Sequence, residues 1–571
     1  MASGDTPEAI TGARTDGRET GIDARNVDAQ NIDARNIVLP PLHPFVAMDV
    51  PALLADRAAR RGDHPFLVWD PPDGVGATWT YAEFAHDVEA TAAGLAARGV
   101  GPGDAVILHL DNSPAFLHVW FACARLGAIA VDVNTRYVED ELAHAAGLVG
   151  AVGIVTDPRL GLADGPTAAG LRWRVLLDPA TGLVPDLRGD PAALPVARPP
   201  DPATPLSVQL TSGTTARPKA VLYTHANALW AARTGAAHWK LRDDDRMLVF
   251  APLFHTHALT WQMLPTLWVG GTVVLVPKFS TSRFWDTSIR NACTVTGLVG
   301  IMIQVLPRMP VPAEHTYRSW IFGLEMPELE RLFGLRLFSA WGMTEVVTTV
   351  VIGEPDAPEP EPRTIGRPAP GYDVRIRLAD GRDAAGGETG ELRVGGVRGL
   401  SLFAGYLGDP AATAAAFDED GYFRTGDEVT LLPSGAIRFS SRSKDMLKVS
   451  GENVAAAEIE RVINTVPRVR ESAVVARPDP VRQEVPVAFV TVTDAAGDDH
   501  DALAAEIVAC CQASLADFKV PRAVHVVDAL PRATLEKVAK ATLRQWALER
   551  MTSTPAPPPT LPAAQEPAPA R

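Results

Sequence analysis

The chain has 571 residues, 46% hydrophobic and 21% charged, which is enough apolar material for large cores. Its formal net charge of −15 leaves no field to attract nucleic acid or an anionic membrane surface, so any phosphate must be bound locally, by loops and a few placed cations. Four cysteines, Cys123, Cys293, Cys510 and Cys511, make neither a disulfide framework nor a zinc spacing, which points to a reducing compartment. The opening MASGDTPEAI has no basic segment followed by an apolar run, and no stretch of about 18 apolar residues suggests a membrane span. A cytoplasmic protein with neither a nucleic-acid nor a membrane partner is predicted.

Residues 1–38 are polar and carry a five-residue echo, IDARN, VDAQN, IDARN. Three such units cannot bury a core as a β-helix, so a disordered leader is predicted. From residue 39 apolar β-type runs alternate with amphipathic helical stretches: AVILHL, then SPAFLHVWFACARLGA, then AIAVDV. This is the rhythm of mostly parallel or mixed sheets flanked by helices, and it predicts a large N-terminal α/β domain over residues 39–442. A small, mobile α+β domain is predicted over 443–550, from AAAEIERVINTV (helix), SAVVAR and VPVAFVTVT (strands), a helix through Cys511, VHVVDAL (strand) and KVAKATLRQWALER (helix). Residues 551–571 read as a Pro/Ala-rich disordered tail.

Within the large domain, the strand-like Val208–Leu210 runs into Thr211-Ser212-Gly213-Thr214-Thr215-Ala216-Arg217-Pro218-Lys219-Ala220, after which VLYTH resumes the sheet. Hydroxyls, a glycine and a lysine between two strands suit a backbone cradle for phosphates; an ordinary Ser/Thr turn is the alternative. It is not a Walker loop, since GK[ST] occurs nowhere in the chain. His255 and His257 in APLFHTHAL have no third ligand nearby for a metal.

TSGTT-x-x-PK resembles the signature loop of the adenylate-forming superfamily: acyl-CoA synthetases, peptide-synthetase adenylation domains and firefly luciferase. Four more stretches follow in the family's order. SAWGMTE (Ser339–Glu345) resembles the aromatic-Gly-x-Thr-Glu motif, and FRTGD (Phe423–Asp427) the TGD motif. SRSKDMLKVSGENV resembles the hinge, and LPRATLEKVAKATLR (Leu530–Arg544) the C-terminal lysine motif. The resemblance covers roughly residues 45–548 and implies a ligase joining a carboxylic acid to coenzyme A. The carboxylate attacks the ATP α-phosphate and expels pyrophosphate; the CoA thiolate then displaces AMP from the acyl-adenylate.

The same resemblance implies roles residue by residue. Thr211, Ser212, Gly213, Thr214, Thr215 and Lys219 would hold the phosphates. Gly323 and Leu324 would line the nucleotide with Trp341, Gly342 and Met343, the indole stacking on or beside adenine. Thr344 would hydrogen-bond the α-phosphate and Glu345 would hold Mg²⁺, a hard cation that takes carboxylate and phosphate oxygens. Asp427 would accept from both ribose hydroxyls with help from Arg442. Lys537 would bridge the acid and the α-phosphate as charge develops. Lys444 would be the hinge about which the small domain turns between half-reactions, and Lys448 and the Gly451 turn would face the site in the thioester-forming state. His255 would line the acid and thiol channel, with a plain packed histidine as the alternative. Ile301, Met302 and Gln304 would line the acid pocket.

GTVVLVPKFSTSRFWDTSIRNACTVTGLVGIMIQVL and GENVAAAEIE are most similar to carnitine/crotonobetaine-type CoA ligases. The pocket segment Thr296–Leu306 is almost wholly apolar apart from Gln304, which favours a bulky hydrophobic acid over a quaternary ammonium, whose charge wants an aromatic or anionic partner. The chain departs from the family where glycine is usual: Ala216 and Ala220 flank the phosphate loop, Glu536 precedes Lys537, and the segment often written GGA reads Phe322-Gly323-Leu324-Glu325. A Cβ at a left-handed site costs on the order of 1–2 kcal/mol and takes up room meant for phosphates. These departures fall on the ATP half of the chemistry. Three readings follow: a complete ligase, a ligase that only thioesterifies an adenylate made by a separate adenylating enzyme, and a non-catalytic binding protein. The second resembles tailoring ligases of terpenoid pathways, platensimycin-type diterpenoid pathways among them.

Overall fold

The computed structural model describes residues 39–40, 43–211, 218–300, 302–353, 361–442, 446–493, 499–531 and 538–550. The five-residue echo, the Pro/Ala tail, most of the phosphate loop (Ser212 to Thr215 and Ala216), Ile301, Lys444, Glu536 and Lys537 lie outside these residues. Among the described residues, four sheets form a large N-terminal and a small C-terminal domain. No helix among them is long and apolar enough to cross a membrane.

The expected βαβ rhythm is present. AVILHL forms the strand Ala105–His109 and AIAVDV the strand Ile129–Asp132, parallel to it. The helix Pro114–Leu126 runs between them. Its ends are written in its sequence: the Ser113 hydroxyl accepts from Phe116 N at 3.3 Å, proline occupies the first turn, and Gly127 at φ 69° takes the left-handed stop that glycine tolerates best. In this seven-stranded sheet the parallel strand Pro205–Thr211 lies beside Ile129–Asp132. It turns back through the phosphate loop into antiparallel Lys219–Thr224, with Thr211 opposite Lys219. A nine-stranded sheet, parallel in its centre, carries Ser319–Phe322 and Arg336–Gly342 side by side. Both strands are mainly buried. A four-stranded antiparallel sheet ends in Phe423–Leu431 and Ile437–Arg442.

The small domain follows its predicted order: helix Ala456–Ile463, strands Val469–Asp479 and Gln483–Val492, helix His500–Ser514, strand Ala523–Val526 and helix Lys540–Glu549. It has its own apolar core, in which Leu447, Ile459, Val474, Val490 and Ile507 pack together.

Its position on the large domain is set by a buried ion triad. Lys519 Nζ lies 2.6 Å from Glu141 Oε1, across the interface, and 2.7 Å from Glu458 Oε1 on its own side. Their side chains are 3%, 6% and 2% exposed. Glu141 Oε2 also accepts from Ala516 N at 3.1 Å. Arg136, ion-paired with Asp517, lays its guanidinium 4.6 Å from the centre of the Phe518 ring. Burial opposes the charge on Lys519, but Glu458 and Glu141 outweigh it and hold the ammonium above its ordinary range. Removing one partner of such a buried pair strands charge in a dry interface, at about 3–5 kcal/mol. Lys519→Ala is therefore expected to lower unfolding stability by roughly that amount in urea titrations. A midpoint and slope equal to the parent's would refute the triad as the fastening.

Candidate active site

Residues from three sheets converge. At the end of strand Arg336–Gly342, the segment through Glu345 closes in a short 3-10 turn, Thr344–Val346. Val347 follows at φ 69°, ψ −46°, with Thr348 N bonded to Val346 O at 2.7 Å. This is a strained γ-turn on a β-branched residue, held by Thr260 Oγ1 donating to the Val347 carbonyl at 2.7 Å. The turn aims Thr344 and Glu345 at the hairpin that carries the phosphate loop. The Tyr223 hydroxyl donates to the Thr344 carbonyl, and the Tyr406 hydroxyl donates to Glu345 Oε1 at 2.9 Å. Lys219 Nζ stands 4.5 Å from the centre of the same Tyr406 ring, so the lysine and the carboxylate share one aromatic support. Burial and Glu345 push the Tyr406 phenol well above its ordinary range, so it remains a donor to Glu345.

The residues expected at the nucleotide also assemble. Trp341 Nε1 donates to Asp427 Oδ2 at 3.1 Å, and Asp427 stands opposite Arg442 in the ladder. Leu324 and Met343 pack against the cluster that contains Trp341, and Gly323 has nothing within 4 Å of where a Cβ would be. Glu345 stands with Tyr406 in a region where no three metal-ligating side chains group together among the described residues. A buried carboxylate that shares the Tyr406 support with Lys219 fits Mg²⁺, which typically takes one or two carboxylates plus substrate phosphates.

The small domain reaches this centre through a tight hairpin. Strands Met446–Val449 and Glu452–Ala455 are joined by Ser450 at φ 53° and Gly451 at φ 89°, the doubly left-handed two-residue turn that suits strand twist. The Glu452 carboxylate is 3.1 Å from His255 Nε2. Burial alone would raise Glu452; His255, with Arg136 and Asn134, outweighs it and holds the carboxyl below its ordinary 4.5. His257 is buried behind, and burial, then the charges of His255 and Lys448, lower it to about 4, so it is neutral at neutral pH. Lys448 and Gly451 belong to the same hairpin as Glu452.

Sequence reasoning missed several neighbours. Trp261, in a π-helical turn Leu259–Met263, lies edge-on to His257 at 5.5 Å. A Cβ on Gly342 would come within 2.7 Å of the Trp261 ring, so Gly342 is what admits the indole. A Cβ on Gly297 would meet Gln262 Nε2 at 2.7 Å and His257 Nε2 at 2.8 Å. Met302 is fully buried in the main core, and the side chain of Gln304 lies outside what is described. Ala220 sits in the regular strand Lys219–Thr224, 1% exposed. It is not among the residues with positive φ. The expectation of left-handed strain at Ala220 is thus corrected: its Cβ packs in an apolar cluster with Val208 and Leu222.

The AMP-binding enzyme family model matches residues 54–407, and the AMP-binding enzyme C-terminal domain matches 458–537. The chain belongs to the AMP-binding enzyme family. The crotonobetaine/carnitine–CoA ligase of Proteus mirabilis is 33% identical over 501 residues, covering 84% of this chain and 95% of the relative. Among solved structures, o-succinylbenzoate CoA synthetase (MenE) from Bacillus subtilis bound with its product analogue OSB-NCoA superposes with a TM-score of 0.75, at 25% identity, over 87% of this chain and 99% of that one. ATP-bound MatB from Rhodopseudomonas palustris gives 0.62, at 28% identity, over 87% and 99%. The family's adenylate-forming CoA ligases use ATP and CoA, and this chain is an acid–thiol ligase of that kind.

The His255–Glu452 contact joins the domains in this arrangement, and its loss should fall on the half-reaction that uses it. Glu452→Gln is expected to slow thioester formation from a supplied acyl-adenylate about tenfold, the effect of ~1.4 kcal/mol. Because the Glu452 pKa is lowered, its contribution is full above the ordinary 4.5 and is lost as pH falls through the depressed value. Equal rates for variant and parent across neutral pH would remove Glu452 from the thioester state.

Proposed function

We propose that this ligase forms the CoA thioester of a bulky hydrophobic acid through an acyl-adenylate, with its adenylation half-reaction impaired and the adenylate supplied by a separate enzyme. The observation that carries the thioester-forming part of this reading is the hairpin of Lys448, Gly451 and Glu452 set against His255; the impaired adenylation rests on Ala216 and Glu536 standing where the family usually has glycine, and the hydrophobic acid on the apolar segment Thr296–Leu306. The better superposition on the relative bound with OSB-NCoA than on the ATP-bound one favours the same state. In this reading residues 39–442 form one unit and residues 443–550 the other, turning about Lys444. The CoA sulfur attacks the acyl carbonyl carbon, the bond to the phosphate oxygen breaks, and AMP leaves with that electron pair. Thr344 holds the α-phosphate, Asp427 and Arg442 the ribose, and Trp341 with Leu324 the adenine. His255 lines the thiol's approach. Where adenylation occurs, Glu345 would hold a Mg²⁺ ion, which would supply positive charge for the phosphates; Lys219 and the phosphate loop would share that task, and Lys537 would bridge carboxylate and α-phosphate.

A second reading, a complete ATP-dependent ligase of carnitine/crotonobetaine type, is favoured by Trp261. The apolar segment Thr296–Leu306 offered no partner for a quaternary ammonium, but the indole beside Gly342 and His257 supplies an aromatic face of the kind such cations choose. Mass spectrometry of products from a panel of acids with ATP and CoA, repeated with synthetic acyl-adenylates, separates the two. Thioester from adenylates but not from free acids with ATP supports the first reading. Ordinary turnover of a free acid with ATP ends it.

Three variants sharpen the division. Lys537→Ala is expected to lower adenylation far more than thioester formation from supplied adenylate, and equal losses would contradict the two-state assignment. Ala216→Gly with Glu536→Gly is expected to raise pyrophosphate release about tenfold or more, since each ~1.4 kcal/mol recovered at the transition state is about tenfold. Ala220→Gly, in contrast, should bring no gain, because that Cβ fills a packed strand position. A parent protein that already releases pyrophosphate as fast as the double variant would show that the loop is a tolerated alternative.

A further inference from the structure

A line of buried polar side chains leads from the core of the seven-stranded sheet to Thr344. Asp132 ends the strand Ile129–Asp132 and is 1% exposed. Its register partner on the neighbouring parallel strand is Gln209. Neither carboxyl oxygen of Asp132 has a hydrogen-bond partner that meets full geometry among the described residues, and the same holds for Gln209 Nε2 and Trp120 Nε1. These two donors are nonetheless the groups that temper the effect of burial on Asp132, whose carboxyl is pushed well above the usual carboxylate range. At the other end of the Gln209 amide, Oε1 accepts from Thr256 Oγ1 at 2.6 Å. Thr256 Oγ1 in turn lies 3.4 Å from Thr344 Oγ1, and the Tyr223 hydroxyl fixes the Thr344 carbonyl.

We propose that Asp132, Gln209 and Thr256 are positioning residues that set the direction of the Thr344 hydroxyl toward the phosphate of the adenylate. An amide has two distinguishable ends. The Thr256 hydroxyl donates to Gln209 Oε1, which leaves the NH₂ for Asp132, whose carboxyl, held toward its neutral form by burial, keeps a carbonyl oxygen to accept from it. Thr256 has then given its only hydrogen to Gln209 and has none for Thr344. The Thr256 hydroxyl also points at Thr344 Oγ1, at 3.4 Å, but its one hydrogen goes to the nearer Gln209 oxygen at 2.6 Å, and a contact of that length cannot rival a short, charge-assisted bond from Thr344 to a phosphate oxygen. The Thr344 hydrogen is therefore available and its side chain already placed. Buried polar groups of this kind are costly unless they specify something, and here what they specify is a hydroxyl at the reaction centre.

The inference rests on the reading that Thr344 meets the α-phosphate, and AMP tests both without knowledge of the acid. AMP carries that phosphate and adenosine lacks it, so affinities for the two, measured by calorimetry on the full chain, isolate the contact. Thr344→Ala is expected to weaken AMP about tenfold, as for loss of one hydrogen bond to a charged group, and to leave adenosine unchanged. Gln209→Leu should reproduce that selective loss and add less than about twofold on the Thr344→Ala background, as coupled residues do. Thr256→Val, which keeps the shape and removes the hydroxyl, should match it and serves if Gln209→Leu fails to fold. Asp132→Leu should act in the same direction, and unchanged AMP affinity there removes Asp132 from the relay. Equal weakening of AMP and adenosine, multiplicative losses, or no loss from both Gln209→Leu and Thr256→Val overturns the proposal. An unaffected Thr344→Ala overturns the phosphate placement itself, and the relay with it.

Discussion

Lys519 carries the arrangement on which the site depends. One ammonium is held between two carboxylates, one from each side of the interface, all within a dry contact. The group has one negative charge too many, and burial pushes the Glu141 carboxyl up in spite of the opposing lysine. Such a contact is sensitive to geometry, because Coulomb energy in a low-dielectric interior changes steeply with distance. It therefore selects one docking orientation, and that orientation puts the Ser450–Gly451 turn and Glu452 against His255.

The large domain contributes rigidity. Glu345 is supported from the seven-stranded sheet through Tyr406, and Asp427, on the four-stranded sheet, is supported from the nine-stranded one through Trp341. Each functional carboxylate is thus held by an aromatic side chain from a different sheet, which fixes direction better than a flexible aliphatic neighbour would. The γ-turn at Val347 belongs to the same design: backbone strain of about 1–3 kcal/mol is tolerated because Thr260 and the Val346–Thr348 bond over-determine the turn.

Much of this was legible in the sequence, for physical reasons. Continuous apolar runs, the Ser113–Pro114 start and the Gly127 stop mark strands and helices locally, so the βαβ order and the small domain's element order were readable. Motif residues such as Trp341, Glu345 and Asp427 were found because each sits in a short contiguous stretch. What was not legible depends on partners distant in the chain. His255 and Glu452 are 197 residues apart, and Glu141 and Lys519 are 378 apart; no local period encodes such pairs. Trp261 was overlooked because an aromatic in an apolar run reads as core. Asp132 and Gln209 sit inside strands otherwise read as continuous apolar runs. Ala220 was misjudged for the opposite reason: the motif suggested a glycine-like conformation, whereas the ladder keeps an ordinary strand there.

Only residues 443–445 separate the last strand of the four-stranded sheet, ending at Arg442, from the first of the small domain, beginning at Met446. So short a tether keeps the two surfaces at an effective concentration of order millimolar. If cut apart, the two domains would need an affinity of only about 1 mM, worth roughly 4 kcal/mol, to be docked half the time. The triad contributes the orientation of that docking more than its strength, because desolvation of the three charges offsets much of their attraction. A stronger interface would lock the small domain in place, and a weaker one would leave the docked arrangement rarely populated.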